Sequence, residues 1–258
     1  MSERPITIVT GASQGIGREL AIAFAEKGNA VVLAARNKPN LEETASMVTA
    51  AGGEPFVIPT DVTDVASVDA MAEATLGRFG RVDVLVNNSA IGGPSGRLWE
   101  LDPGDWQATF DVNVAGVFLV SRAVLPSMLE NGSGSVIIIG SVSGKRPLFG
   151  RSAYTSTKMA LVGLTRTLAV ETGPHGVRVN LISPGFVSGP RFEWLSAAQA
   201  SERGIDEDTV KGEFLTQAAL NRLTEARDVA DAAVFLASDS ARGITGTDLN
   251  VNSGIVMY

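Results

Sequence analysis

A chain of 258 residues with 45% hydrophobic side chains can bury a sizeable core, and at this length an α/β fold commonly forms one domain, 1–258. A net charge of −7 with no basic run argues against nucleic acid and against anionic membrane surfaces as partners. The lack of cysteine excludes disulfides and thiolate metal centres, and with one histidine no metal site is expected.

No stretch reaches the ~18 uninterrupted apolar residues of a membrane helix. The first residues lack the charge-then-apolar layout of a secretory signal, so a cytoplasmic protein is expected. In chain order, short runs rich in β-branched residues occur at 6–9, 30–34, 55–59, 82–86, 135–139, 177–182 and 248–251. They are apolar at odd and even positions alike, as strands buried on both faces must be. Amphipathic helical windows lie between them, for example 17–28 and 67–79. The alternation predicts a doubly wound, Rossmann-like α/β fold: a parallel sheet of about seven strands with helices on both faces. One stretch, 190–223, has no strand pattern and reads as two short helices inserted before the last βα unit. Long insertions of this kind often form lids or binding loops.

The first strand leads into Thr10-Gly11-Ala12-Ser13-Gln14-Gly15-Ile16-Gly17 and then a helix. Glycines let the backbone turn sharply and approach a pyrophosphate, and the helix start offers that anion free N–H groups and a positive dipole end. The strand before and the helix after are the context such a motif requires.

Further along, Tyr154 and Lys158 stand at i and i+4 and so share one helix face. A free tyrosine has a pKa near 10, and a nearby cation favours its ionised form. Lys158 can supply that field. Tyr154 then becomes a proton donor in carbonyl reduction and an acceptor in alcohol oxidation. Ser141, at a strand end, can hydrogen-bond a carbonyl oxygen and hold it polarised. His175 sits in the turn Gly173-Pro174-His175-Gly176, and without a Gly-x-Ser-x-Gly elbow it reads as a surface residue rather than part of a hydrolase triad.

The glycine spacing G-x-x-x-G-x-G, Asp61-Val62, Asn87-Asn88-Ser89-Ala90, Asn113, Ser141, Tyr154-x-x-x-Lys158 and Pro184-Gly185 follow one another across nearly the whole chain. In this order and spacing the sequence resembles the short-chain dehydrogenase/reductase (SDR) family. The resemblance implies a catalytic set of Asn113, Ser141, Tyr154 and Lys158. It implies a cofactor site of Gly11, Ser13, Gln14, Gly15, Ile16, Gly17, Arg36, Asp61, Val62, Asn87, Tyr154, Lys158, Pro184, Gly185 and Val187. Lys158 would also bind the nicotinamide ribose, and Asn113 would hold a water linking Lys158 to solvent. It further implies a homo-oligomer, usually a tetramer, paired through helices around 105–130 and 154–172, with the apolar tail 255–258 as an added contact. Three places depart from the family pattern: Ser89-Ala90, Gly189 where many members carry Thr, and Val251-Asn252-Ser253-Gly254 near the C-terminus. Ser188 is a candidate to supply the hydroxyl that Gly189 lacks.

The end of the second strand carries Ala35-Arg36 rather than an acidic residue. An arginine there can pair with a 2′-phosphate, so NADP(H) is expected to be preferred, with NAD(H) possible. The substrate pocket is expected between 142–149, 186–189 and 190–223, walled by Phe149, Phe186, Phe192 and Trp194. Arg146, Arg151 and Arg191 could meet an anionic substrate, but the preferred reading is that they are solvated. The segment 125–134 contains Glu130 and no Lys or Arg, which argues against docking of an acidic carrier protein. The expected activity is NADPH-linked reduction of a small carbonyl compound. The alternatives are an NAD-linked secondary-alcohol or polyol dehydrogenase and a catalytically silent dinucleotide-binding regulator.

Overall fold

Side chains of a strand alternate between the two faces of its sheet, so a run that is apolar at every position needs cover on both sides. The computed structural model, which describes residues 4–258, provides that cover. Strands β1 (Ile6–Thr10), β2 (Ala30–Ala35), β3 (Glu54–Pro59), β4 (Val84–Asn87), β5 (Gly134–Ile139), β6 (Val177–Pro184) and β7 (Asp248–Val251) form one sheet in the order β3-β2-β1-β4-β5-β6-β7. Every pairing is parallel. All seven expected strands are present. β6 runs past its expected end because Ser183 and Pro184 pair with Asn250 and Val251.

The connections are α1 (Gly15–Glu26), α2 (Lys38–Ala50), α3 (Val65–Phe79), α4 (Pro103–Phe110), α5 (Gly116–Asn131), α6 (Ser152–Thr172), α7 (Pro190–Arg203), α8 (Glu207–Thr216) and α9 (Ala226–Ala237). On one face Ile6, Ile8, Val32 and Val136 pack with Met71, Val120, Val124 and Leu161 of α3, α5 and α6. On the other, Val9, Val31, Leu33 and Ile137 pack with Leu20, Leu41 and Val229 of α1, α2 and α9. The helical stretch Pro103–Asn131 is long and apolar enough to cross a membrane, but half of its most apolar window is buried in the protein. Val117, Val120, Val124 and Met128 lie in the sheet core, which accounts for its hydropathy.

The insertion forms α7 and α8, as expected, over a small core of its own. Phe186, Phe192, Ala200, Val210 and Phe214 make it, with the Phe186 and Phe214 ring centres 4.1 Å apart. The strand order reverses between β1 and β4. In open parallel sheets the crevice for a ligand opens there, beyond the carboxyl ends of the strands.

Candidate active site

A cleft of about 860 Å³ occupies that crevice. β1 delivers the glycine turn to it, β2 Arg36, β4 Asn88 to Ala90, β5 Ser141, and β6 Pro184 to Val187. The first residues of α7 close one side.

Two glycines of the turn, Gly11 and Gly17, have no room for a side chain. Gly11 has φ +66°, in the left-handed region, and a Cβ there would lie 2.9 Å from Asn88 Nδ2. A Cβ on Gly17 would lie 2.1 Å from the Gly11 carbonyl oxygen. Asn88 braces the turn by donating from Nδ2 to the Thr10 carbonyl at 3.0 Å, while the Thr10 hydroxyl accepts the Asn88 N–H at 2.9 Å. Arg18 donates to the Ser13 carbonyl at 3.0 Å and pairs with Glu43 at 2.8 Å. Gln14, the N-cap of α1, makes no side-chain capping bond. The N–H groups of the first helical turn therefore have no side-chain cap, and Gly15, Ile16 and Gly17 line the cleft. The space beyond Gly15 is open, since a Cβ there would meet nothing within 4 Å. A pyrophosphate fits this arrangement of open N–H groups and helix dipole.

At the β2 and β3 end, Arg36 is exposed and lines the cleft with Ser13, Asn37, Asn40 and Asp61. Asp61 accepts from the Thr63 N–H at 3.0 Å and the Thr63 hydroxyl at 2.8 Å. Those hydrogen bonds hold its carboxyl below the usual carboxylate range against partial burial, and the Arg36 charge adds to them.

At the far end, three cations surround one phenol. Lys158 Nζ lies 5.6 Å from the Tyr154 ring centre, Arg151 Cζ 5.4 Å and Arg191 Cζ 5.0 Å. Burial pushes the Tyr154 phenol up, but Arg191, Lys158, a hydrogen bond with Ser141 and Arg151 together outweigh it and bring the pKa to about 8. Lys158 is buried and donates to the Ile139 carbonyl at 2.8 Å. Its pKa is lowered by that burial, which the Tyr154 charge opposes, and the Arg191 charge lowers it further. The backbone turn after β5 holds Ser141 in place, its Oγ accepting the Ser143 N–H at 3.1 Å.

A family model described as enoyl-(acyl carrier protein) reductase matches residues 11–256. The chain is 38% identical over 252 residues to the short chain dehydrogenase/reductase astE of Aspergillus oryzae, covering 97% of this chain and 94% of that protein. It is 36% identical over 251 residues to the 3-oxoacyl-(acyl-carrier-protein) reductase FabG of Staphylococcus aureus, covering 97% of each chain. The chain belongs to the short-chain dehydrogenase/reductase family. Among solved structures, the NAD+-bound xylitol dehydrogenase superposes with a TM-score of 0.94 at 28% identity, over 97% of this chain and 98% of that one. Similar solved structures carry NAD+, NADH or NADPH. As an SDR member the chain is an oxidoreductase acting on CH–OH and C=O groups with NAD(P).

Most SDR positions expected from the sequence converge on the cleft: Gly11, Ser13 to Gly17, Arg36, Asp61, Val62, Ser141, Tyr154, Lys158, Pro184 to Val187 and Trp194 all line it. Three do not. Asn87 ends β4 and turns its side chain away to donate to Ser121 Oγ at 3.1 Å, so Asn88, Ser89 and Ala90 face the cleft instead. Asn113 is fully buried in a π-helical turn, Asp111–Ala115, between α4 and α5. Its amide accepts the Ile91 N–H at 2.8 Å and donates to the Ile91 carbonyl at 3.0 Å and to Thr157 Oγ1 at 3.1 Å. Thr157 in turn donates to the Tyr154 carbonyl at 2.7 Å, so the Asn113 side chain braces the Tyr154 helix from behind. Phe149 is exposed and lines a separate depression with Leu98 and Trp99. Phe186 and Phe192 both pack in the α7 and α8 core and line the cleft.

Two further expectations change. Arg151 is not solvated: it is 3% exposed, with donors on the Gly92 carbonyl at 2.5 Å and on those of Gly93 and Pro94 at 3.4 Å. Ser188 lines the cleft but its hydroxyl donates to Glu225 Oε2 at 2.6 Å, which occupies it. Gly189 has φ +124°, a conformation that disfavours Thr at this position.

Proposed function

We propose that this SDR is a cytoplasmic, NADP-preferring carbonyl reductase of small substrates, with Tyr154 as its proton donor. The observation that carries the reading is the placement of Lys158, Arg151 and Arg191 around the Tyr154 ring in the cleft with Ser141, cations whose charges lower the phenol's pKa. The nicotinamide cofactor, when bound at the glycine turn, supplies or accepts the hydride. Ser141 Oγ hydrogen-bonds the substrate oxygen and holds it polarised. Tyr154 gives its proton to the developing alkoxide, and the Lys158 field steadies the tyrosinate left behind. Asn113 acts as a positioning residue through Ile91 and Thr157. Arg36, exposed at the end of β2 with no acidic residue in its place, supports recognition of a 2′-phosphate.

Calorimetry with NADPH and NADH on the purified protein tests the cofactor preference, and a ketone screen with NADPH follows. Tighter NADH binding would instead favour NAD-linked oxidation of a secondary alcohol or polyol, a reading supported by the likeness to NAD+-bound xylitol dehydrogenase. The carrier-dependent relative notwithstanding, the α5 C-terminus offers Glu130 and no Lys or Arg between 125 and 134, which supports a free small substrate. Phe118 on α5 and Met159 and Val170 on α6 are large apolar residues left 53%, 53% and 77% exposed. Such exposure on these two helices supports a homo-oligomer, a tetramer in our reading, which light scattering checks.

A further inference from the structure

Arg191, the second residue of α7, pairs with no carboxylate, as is also true of Arg36, Arg146 and Arg151 among the described residues and unlike three arginines nearby. Arg203 pairs with Glu213, Arg222 with Asp228 and Arg18 with Glu43. Among the described residues no carboxylate pairs with Arg191, although Glu193 lies two positions on. Glu193 is taken by Lys211 at 2.5 Å, and Glu225 accepts the Ser188 hydroxyl. The Arg191 guanidinium lies over the Tyr154 ring, 5.0 Å from its centre, and lines the cleft. A second cation, Arg151, lies below it, 5.0 Å from the Trp194 ring, but its donors are engaged by backbone carbonyls. The reacting end of the cleft therefore holds two positive charges beyond Lys158: Arg151, fixed by backbone carbonyls, and Arg191, exposed and with its fork of donors open. A simple ketone commits its one carbonyl oxygen to Ser141 and Tyr154 and leaves that fork to solvent. A carboxylate matches it in shape and charge. Leu148, Phe186 and Trp194 give the same space apolar walls for a carbon skeleton.

We infer that Arg191 binds the carboxylate of the substrate, which makes the substrates short oxo acids and the corresponding hydroxy acids, with the carboxylate one or two carbons from the reacting carbon. The inference rests on the reading of Tyr154 as the proton donor, because that reading fixes where the carbonyl lies. Reduction is balanced by one hydride from the cofactor to the carbonyl carbon and one proton from Tyr154 to its oxygen; the carboxylate is unchanged.

The test compares 2-oxobutanoate and acetoacetate with their ethyl esters in the wild type, Arg191→Ala and Arg191→Lys. Calorimetry of oxamate, a non-reducible anion, on the NADPH-loaded protein gives a readout independent of turnover. The wild type is expected to prefer the acids. Arg191→Ala is expected to raise KM for the acids about tenfold or more and to weaken oxamate as much, with ester KM and cofactor Kd moving by less than about twofold and Arg191→Lys recovering part of the loss. Any change in Tyr154 ionisation acts on acid and ester alike and cancels in their ratio. An unchanged acid-to-ester ratio in Arg191→Ala overturns the inference. So does a weaker cofactor Kd with equal losses for both substrates, which assigns Arg191 to the cofactor phosphates. Tyr154→Phe separates the two readings. Lost turnover with intact oxamate binding supports both, whereas retained turnover removes the proton-donor role and leaves the carboxylate site standing on the oxamate result.

Discussion

The two ends of the cleft are built by different means. At the glycine turn the wall is backbone: Gly11 and Gly17 allow approaches that a single Cβ would block, and the α1 N-terminus points open N–H groups outward. At Tyr154 the wall is side chains brought from separate elements: Ser141 after β5, Arg151 and Lys158 at either side of Tyr154, Arg191 on α7. A backbone site is specified by sterics and tolerates no substitution at its tight points. A side-chain site is specified by charge, and each of its residues can be changed to alter one property at a time.

Substitutions at the two ends should therefore fail in different ways. The largest effect is expected from Tyr154→Phe, which removes the proton donor and should lower kcat by about 10³-fold with cofactor Kd nearly unchanged, read by steady-state kinetics and calorimetry. Gly17→Ala should do the reverse. Its Cβ would sit 2.1 Å from the Gly11 oxygen, so the turn must open. The expected loss is about 10- to 100-fold in cofactor affinity, from roughly 1.5–3 kcal/mol of overpacking, with thermal melting used to confirm a folded protein. Arg36→Ala tests the one part of the cofactor end that depends on charge. It should weaken NADPH about tenfold and leave NADH unchanged, and equal losses for both would show that Arg36 reads no phosphate. The smallest effect concerns Ser253, whose φ of +53° puts a non-glycine residue in the left-handed region beside Asn252, the residue packed against Gly185. Ser253→Gly should raise stability by about 0.5–1 kcal/mol, measured by thermal melting, with little change in activity.

The backbone end was legible in the sequence because steric need selects residue types. A strand, a spaced set of glycines and a helix specify the turn before any partner is known. Tyr154 and Lys158 were legible for a similar local reason, their i, i+4 spacing on one helix. What was missed depends on partners far along the chain. Arg151 reads as a surface cation until the carbonyls of Gly92, Gly93 and Pro94 are brought to it from another loop. The side chain of Asn87 turns from the cleft while Asn88 lines it, and strand alternation assigns such faces only once the end of the strand is known. Phe149 was misplaced because an apolar residue near a pocket in sequence can turn into a neighbouring depression instead.

The most direct measurement is a spectroscopic titration of Tyr154. The chain has two tyrosines, and the other, Tyr258, is 83% exposed at the C-terminus. In Tyr258→Phe the tyrosinate absorbance therefore reports Tyr154 alone. Cations around the phenol lower its pKa, so its midpoint should lie near 8. Oxidation, which needs the tyrosinate, should accelerate as pH rises through that value, and reduction, which needs the phenol, should slow above it. A midpoint near the ordinary tyrosine value of about 10 would contradict the cation field on which the assignment of Tyr154 rests.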